Sequence, residues 1–299
     1  MRKAEENLRK AVALDPQCAD AHALMAFCIL MGTFMGLGAP RSTLTEAAAA
    51  ARRALDLNPR HPLALACAGI VIAALDWNWQ EFERLMEQAY ALAPNDPDVA
   101  NWYAYWYLRL KGRYSEAIGI YDGIALRDPL AANWPAYQAG VAYHARDYAK
   151  AKSFILAALD IDGAQLLAQW LMCAIAAQTG DVEQALASGA EALRLSDGND
   201  WVQGVFAKAL AKAGRHGEAL AVRDSLREAA KSRYVSPMAM ISACFACGDS
   251  DGTLAAMEQL ADDRSPNIFW LLDDPACDPV RRDPRCSALL ARIGLPERY

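Results

Sequence analysis

The sequence has little of what catalysis, phosphate binding or membrane insertion requires. Only four of its 299 residues are histidines, and none is spaced from a serine, cysteine or carboxylate in a pattern typical of nucleophilic catalysis. The most continuous apolar stretch, Leu63 to Leu75, is shorter than the ~20 residues that a bilayer-spanning helix needs. The glycine-rich stretch from Gly32 to Gly38 lacks the Lys-Ser/Thr that follows a phosphate-binding loop. We therefore expect neither an enzyme nor a membrane-embedded protein.

An excess of positive charge and a dense cysteine framework are also missing. The formal net charge is -6 and the pI is near 5.3, so no electrostatic field would gather DNA or RNA, and direct nucleic-acid contact is not expected. The eight cysteines are scattered along the chain, unlike those of a small secreted domain. The first residues lead straight into an amphipathic helix pattern, without the features of a signal peptide. We expect a cytoplasmic location.

What the sequence does contain is a repeat of about 34 residues. Hydrophobic residues make up 54% of the chain and charged residues 22%, which suits an ordered helical protein. The repeat is carried by alanines 34 residues apart, by glycines in a second register and by prolines 35 apart: Ala117, Ala151, Ala185 and Ala219; Gly180, Gly214 and Gly248; Pro59, Pro94 and Pro129. A period of this length predicts one helix-turn-helix unit per repeat.

Each repeat has the same internal pattern. Small or apolar residues recur at i, i+4 and i+7 in the second helix, as in Ala47, Ala51, Ala54 and in Ala185, Gly189, Ala192. This spacing forms one helix face, on which small side chains let neighbouring helices approach closely. The glycine before each second helix can adopt the left-handed conformation that ends a first helix. Proline at the end of a unit can open the next helix.

These glycine, alanine and proline patterns resemble the tetratricopeptide (TPR) family over almost the whole chain. The resemblance implies an all-α, right-handed α-solenoid of about seven helix-turn-helix pairs with a C-terminal cap. It divides the chain into a solenoid at 1–262, whose first repeat is incomplete, and a capping tail at 263–299. An extension near 32–42 predicts either a loop or a lengthened helix pair. Arg146 stands where the turn glycine is expected, and Thr253 where the small alanine is expected.

The two ends of the chain suggest a larger protein. Residues 2–16 correspond only to the second helix of a repeat. Residues Asp274 to Pro296 resemble the tail of bacterial TPR regions that follow a winged-helix DNA-binding domain, an adenylate-cyclase domain or a kinase domain. The resemblance implies a regulatory module whose output domain lies outside this sequence.

The resemblance also implies which residues line the concave groove, because the first helix of each TPR unit faces inward. Carried over by register, the predicted partner-binding residues are Trp102, Trp106, Arg109, Tyr143, His144, Trp170, Gln178, Trp201, Lys208, Lys212 and Phe245. Aromatic side chains anchor peptide partners, and the basic ones are candidate contacts for a carboxylate or a phosphate. The alternative is that the aromatic side chains only pack between adjacent helices.

Two acidic or thiol-rich patterns could be interpreted as metal sites. Cys244 and Cys247, with Cys277 and Cys286, could supply four zinc thiolates, but spacing alone is weak support. In the tail pattern Cys277 and Cys286 take the places of large apolar residues, so we interpret them as small hydrophobic side chains. The aspartates of the tail, Asp273, Asp274, Asp278 and Asp283, alternate with prolines and are expected to form caps and turns. We expect no metal, redox pair or cofactor.

The sequence therefore predicts a non-enzymatic protein-protein interaction module or scaffold that binds a peptide or a partner domain in its groove. In the context of the tail, this would be the regulatory part of a bacterial signalling or transcription protein. The alternative is a sensor that binds a small molecule in the aromatic groove. The oligomeric state stays open.

Overall fold

The computed structural model describes residues 2–295, and over that range it contains sixteen α-helices and no strand. The helices are α1 (Arg2–Leu14), α2 (Ala19–Phe34), α3 (Pro40–Leu57), α4 (Pro62–Asp76), α5 (Trp79–Leu92), α6 (Pro97–Trp102), α7 (Tyr114–Ala125), α8 (Asn133–His144), α9 (Tyr148–Ile161), α10 (Leu166–Thr179), α11 (Val182–Leu195), α12 (Asp200–Lys212), α13 (His216–Ala229), α14 (Pro237–Ala246), α15 (Ser250–Asp262) and α16 (Pro284–Arg292). A π-helix, Tyr103–Leu108, continues α6, and two 3-10 helices, Pro266–Leu272 and Pro275–Cys277, follow α15.

The order of the helices confirms the predicted all-α solenoid. From α2 to α15, a first helix is followed by a second helix seven times in the part of the chain that is described. Helix α1 stands before these pairs as a lone helix. None of the described helices combines the length and hydropathy needed to cross a bilayer. The outer limits of the two predicted domains, including Pro296 of the tail pattern, lie outside the described residues.

The small-residue face of the second helices forms the core, as predicted. Ala47, Ala51 and Ala54 of α3 are buried, and so are Ala185 and Ala192 of α11. Because these side chains extend no further than Cβ, the neighbouring helix axes can approach closely. The spacing at i, i+4 and i+7 therefore positions each second helix against the first helices beside it.

The turns between paired helices adopt the expected left-handed conformation. Gly112, Gly180 and Gly214 have φ of 72°, 87° and 74°. Two residues that are not glycine take the same conformation: Arg146, with φ of 63°, and Trp77, with φ of 54°. The left-handed conformation costs a residue with a Cβ about 1–2 kcal/mol of conformational free energy. We therefore expect the side chains of Arg146 and Trp77 to make contacts that offset this cost.

The structure forms two compact units. The first comprises residues 1–107 and 261–269, and the second comprises residues 108–260 and 270–299. In the first unit α2 packs against α3, α3 against α4, and α4 against α5. In the second unit α8 packs against α9, α10 against both α11 and α12, and α12 against α14. In each unit a late segment of the chain joins the repeats that precede it.

The extension near 32–42 is a lengthened helix pair. Helix α2 continues to Phe34 and α3 begins at Pro40, so only five residues connect the two helices. The Thr33 hydroxyl donates a hydrogen bond to the Ile29 carbonyl at 2.8 Å and contacts the Thr43 hydroxyl at 2.8 Å. Phe34 at the end of α2 is buried.

We expect Gly204→Ala to destabilise the second unit because α12 and α14 meet at this glycine. A Cβ at this position would lie 2.5 Å from the Ala239 carbonyl oxygen and 2.9 Å from its Cα, and a backbone neighbour cannot move without separating the helices. The expected loss is about 1–3 kcal/mol in the free energy of unfolding. Urea denaturation followed by circular dichroism measures it.

The matched control is Gly119→Ala in α7. Its Cβ would meet no atom within 4 Å. Alanine is the better helix former, so this variant should be unchanged or stabilised by up to about 1 kcal/mol. Equal effects of the two substitutions would contradict a close approach of α12 and α14 at Gly204.

Candidate functional site

A stretch of the chain without α-helix lies against predicted partner-binding residues in each unit. We call residues 263–283 the tail segment, and the side of the first helices that carries the eleven predicted residues the first-helix face. Prolines at positions 266, 275 and 279 interrupt the tail segment, so it forms short 3-10 turns instead of a continuous α-helix. Its side chains contact the first-helix face separately in each unit.

In the first unit the tail segment inserts Phe269 among aromatic side chains. Phe269 is fully buried. Its ring centroid lies 5.5 Å from that of Trp79, 5.7 Å from that of Phe82 and 5.9 Å from that of Trp106. The Trp79 pair is edge-on, the Phe82 pair is stacked and the Trp106 pair is tilted. Aromatic pairs at such distances each contribute about 0.5–1.5 kcal/mol to stability beyond the effect of the apolar area that they bury.

The lengthened α2 supports this cluster. Phe34 stacks on Trp106 with ring centroids 4.2 Å apart and lies 5.8 Å from Trp102. Phe27, two turns earlier in α2, forms an edge-on aromatic pair with Trp102, with the ring centroids 5.5 Å apart. The additional turns of the first complete repeat therefore hold the two predicted tryptophans in a packed position.

Polar contacts also fix the tail segment and the end of α15 in the first unit. The Asn267 amide donates a hydrogen bond to the Phe34 carbonyl at 3.1 Å. The Arg41 guanidinium donates to the Asp262 carbonyl at 2.7 Å. The Arg264 guanidinium lies 3.5 Å above the ring of Trp77, which is a cation–π contact. Trp77, one of the two non-glycine turn residues with a left-handed conformation, therefore uses its side chain to bind the tail segment.

In the second unit four side chains surround the indole of Trp270. Ring centroids lie 4.9 Å away for His144, 5.8 Å for Trp170 and 5.7 Å for Trp201, and the Arg109 guanidinium carbon lies 5.5 Å from the Trp270 ring. We call Arg109, His144, Trp170 and Trp201 the Trp270 cage. All four belong to the predicted partner-binding set.

A buried ion pair lies beside the cage. The Arg109 guanidinium donates a hydrogen bond to the Asp273 carboxylate, and His144 Nδ1 lies 3.1 Å from the same oxygen. Arg109 and His144 are fully buried and Asp273 is 2% exposed. Burial alone would raise the pKa of Asp273, but Arg109 and His144 outweigh it and lower the pKa below its usual value. The three groups thus stabilise one another away from water.

Two further aspartates of the tail segment are bound by residues at the end of α8 and in the turn that follows it. The Tyr143 hydroxyl donates a hydrogen bond to Asp274 at 3.0 Å; burial and the negative charge of Asp274 raise the pKa of Tyr143 well above its usual value. The Arg146 guanidinium donates to both oxygens of Asp278, at 2.6 and 3.1 Å. The left-handed conformation of Arg146 therefore accompanies an ion pair that glycine could not make.

The prediction that the aspartates of the tail segment form caps and turns is correct for Asp283 and for the backbone of Asp273 and Asp278, which lie in turns, but it missed what three of the carboxylates bind. Asp283 caps α16 by accepting a hydrogen bond from the Arg285 backbone at 2.9 Å, as expected. The carboxylates of Asp273, Asp274 and Asp278 instead bind side chains of earlier repeats. Their positions among prolines indicated turns, but a cap uses a local donor, whereas these three meet partners more than 130 residues away.

The predicted cysteine positions are apolar in character. Cys277 and Cys286 are buried, and burial raises the pKa of the Cys277 thiol to about 12. Burial also raises the pKa values of Cys244 and Cys247. A thiol with a raised pKa is protonated at neutral pH, which disfavours thiolate chemistry. Within residues 2–295 no group of three or more histidine, cysteine or acidic side chains is arranged to hold a metal ion.

The remaining predicted residues are accessible and share one part of the face. Trp201, Lys208 and Lys212 lie on one side of α12. Gln178 lies near the end of α10 and Phe245 near the end of α14, and both helices pack against α12. Gln178 and Lys212 are exposed, and the other three are partly buried. The Lys208 ammonium lies 5.8 Å from the ring centroid of Phe245. We call these five residues the accessible patch.

The structure thus separates the predicted residues into two groups. Trp106, Arg109, Tyr143, His144 and Trp170 contact the tail segment, and Trp102 packs against α2. The accessible patch contains the others, with Trp201 shared between patch and cage. Phe269 and Trp270 were not predicted, and Asp273 was expected only in a cap or turn. The signal available was the departure from glycine at Trp77 and Arg146, which both contact the tail segment. Partner binding by the eleven residues stays a prediction.

We expect Asp273→Asn to destabilise the protein at neutral pH. The substitution leaves the Arg109 guanidinium buried without a counter-charge, which costs about 3–5 kcal/mol. The control Asp160→Asn changes an exposed carboxylate on α9 and should have little effect. Urea denaturation of both variants at pH 7 measures the difference, and similar unfolding midpoints would contradict the buried ion pair.

The same carboxylate predicts a dependence on pH. Because its pKa in the folded protein lies below the unfolded value of about 3.9, its contribution is present above that value and is lost as pH falls through the folded pKa. The wild-type protein should therefore lose more free energy of unfolding between pH 5 and about pH 2 than Asp273→Asn does. Parallel pH profiles would show that Asp273 is not ion-paired.

Comparison with known proteins supports the fold. No protein-family model matches the sequence. The search of curated proteins likewise found no match. Among solved structures, the chain is similar to a protein of the APC/C heterotetramer Cut9–Hcn1, with a TM-score of 0.62 and 14% identity over 96% of this chain and 51% of that one.

Two further structures share the arrangement of helices. Yeast Tom70 matches with a TM-score of 0.54 and 15% identity, over 98% of this chain and 62% of that one. A tetratricopeptide repeat protein from Parabacteroides merdae matches with a TM-score of 0.53 and 11% identity, over 90% of this chain and 98% of that one. The chain spans about half of the Cut9–Hcn1 protein and less than two thirds of Tom70. Its fold is that of a TPR-type α-solenoid.

Proposed function

We propose that the chain is a non-enzymatic protein-binding module that holds an extended, acidic segment of a partner protein against its first-helix face. One observation supports this most directly: in each unit the face already binds a segment of its own chain that is built from short 3-10 turns, through aromatic and acidic side chains. Phe269, Trp270 and Asp273 enter it as the anchor residues of a bound peptide would. A face with this chemistry suits further segments of the same kind.

The accessible patch is the proposed point of attachment. Lys208 and Lys212 offer ammonium groups to carboxylates, and Phe245 and Trp201 offer aromatic surface to an apolar side chain. Since the five residues lie on three first helices packed in succession, an extended segment could contact them one after another. Solenoid surfaces made of successive repeats suit such partners.

The wider role that we propose is regulatory. The residue pattern from Asp274 onward is similar to tails found behind winged-helix, adenylate-cyclase or kinase domains, and this pattern is the support for placing the module in a bacterial signalling or transcription protein. The small-molecule alternative would need the aromatic side chains to surround a ligand. Trp106 and Trp170 instead pack against Phe269 and Trp270, and protein binding is therefore our preferred interpretation.

Reversing charge in the accessible patch should remove partner capture. The double variant Lys208→Glu with Lys212→Glu places carboxylates where the partner's own carboxylates would lie, so repulsion replaces attraction. The control, Lys3→Glu with Lys10→Glu on α1, makes the same change of net charge at exposed positions far along the sequence. Each protein is used as bait in the source cell extract, and captured proteins are quantified by mass spectrometry.

The expected result is a set of proteins captured by the wild type and by the control but not by the patch variant. Trp201→Ala should weaken capture of the same set. Circular dichroism should show equal helical content for all baits. If charge reversal in the patch leaves the captured set unchanged, the patch is not the binding site and the proposal fails.

A further inference from the structure

We propose that residues 270–278 are an internal occupant of a peptide-recognition site, and that partner proteins carry an aromatic residue followed three and four positions later by two acidic residues. In this proposal the partner displaces residues 270–278 from the Trp270 cage and its neighbouring cations. It rests on the proposed function, since it names the chemistry of the segment that the module binds.

The first support is the spacing of the anchors. Trp270 fills the cage, Asp273 pairs with Arg109, and Asp274 accepts a hydrogen bond from Tyr143 at 3.0 Å. These three anchors fall at positions i, i+3 and i+4 of the segment. Binding through a few large side chains at fixed spacing is how grooves recognise short peptide motifs.

Charge is the second support. Between Trp270 and Asp278 the chain carries three aspartates and no basic residue. Two of the three form ion pairs with earlier residues of the second unit, Asp273 with Arg109 and Asp278 with Arg146. Asp274 instead accepts a hydrogen bond from the Tyr143 hydroxyl, and Asp278 also lies 3.4 Å from the Arg281 guanidinium of the tail segment. The face therefore selects an acidic segment and would repel a basic one.

The third support is the backbone of the segment, which forms local hydrogen bonds. The Asp274 amide donates to the Trp270 carbonyl at 3.0 Å, the Cys277 amide to the Asp274 carbonyl at 2.9 Å, and the Val280 amide to the Cys277 carbonyl at 3.1 Å. The backbone thus satisfies itself by short turns, while the side chains make the contacts with the first helices. A separate peptide of this sequence could make the same contacts.

Access to the site is provided by the accessible patch. Trp201 belongs to both the patch and the cage: it lies 4.5 Å from Trp170 and 5.7 Å from Trp270. A partner bound at the accessible patch therefore lies beside residues 270–278. It can displace Trp270, Asp273 and Asp274 from their contacts one after another.

The covalent link protects the internal occupant from competition. A tethered segment is present at its site at an effective concentration of about millimolar. The apparent affinity of a separate peptide that competes for the same site is therefore much lower than its affinity for the empty site. Cutting the tether removes this advantage without changing any side chain in the site. This difference makes the proposal testable with the chain's own sequence.

The test uses a protease site inserted between Asp262 and Asp263, so that the purified, folded protein can be cut and compared with its uncut form. The probe is a fluorescent peptide with the sequence of residues 270–281, and binding is followed by anisotropy. Control peptides carry Trp270→Ala, or Asp273→Ala together with Asp274→Ala. Circular dichroism and gel filtration follow the fold of the cut protein.

We expect the cut protein to release its tail and bind the probe about a hundredfold more tightly than the uncut protein, with at least tenfold weaker binding of each control peptide. Retention of the tail without exchange, or unfolding once the tail leaves, would overturn the proposal, since the segment would then be a permanent structural part. Equal binding of the control peptides would overturn the assigned motif.

A second variant tests the intact chain. Arg146→Gly introduces the residue that is usual in this turn, and glycine adopts the left-handed conformation without strain, so the variant should fold. It loses the ion pair between Arg146 and Asp278. The uncut variant should bind the probe several-fold more tightly than the uncut wild type; no gain would contradict release of the segment. Loss of capture by the patch variant with no peptide exchange would spare the proposed function and reject only this inference.

Discussion

The buried ion pair of Arg109 with Asp273 is the constraint on which the arrangement of the second unit depends. Burying either charge without the other costs roughly 3–5 kcal/mol of free energy of unfolding. The folded chain must therefore bring the two residues together. With His144 against the same carboxylate and Trp270 held in the cage, the pair fixes the tail segment on the first helices. Arg109, His144 and Trp170, three of the side chains predicted to bind a partner, are thereby engaged within the chain.

Local periodicity was sufficient to predict the fold. A repeat of 34 residues determines where helices start and end, and the alanine face determines how they pack, because both depend on neighbours within one or two turns. The tail segment could not be predicted in this way. Arg109 and Asp273 are 164 residues apart, and nothing near either residue in sequence indicates its partner.

One local signal did point to the tail segment, although only the structure gives its meaning. Arg146 and Trp77 occupy turns where glycine is the favoured residue, and both take the left-handed conformation. Each uses its side chain on the tail segment: Arg146 on Asp278 and Trp77 beneath Arg264. A residue that accepts backbone strain at a repeated position is therefore a candidate for a contact that the repeat pattern does not contain.

Side chains, led by Arg109 and Asp273, hold the tail segment on the first-helix face of the second unit. A double-mutant cycle with Arg109→Met, Asp273→Asn and the combined variant measures how strongly these two side chains depend on each other, with free energies of unfolding from urea denaturation at pH 7. We expect the double variant to recover much of the stability that either single variant loses, with a coupling energy of about 2–3 kcal/mol. Additive losses, with a coupling energy near zero, would show that the two side chains do not hold the segment together.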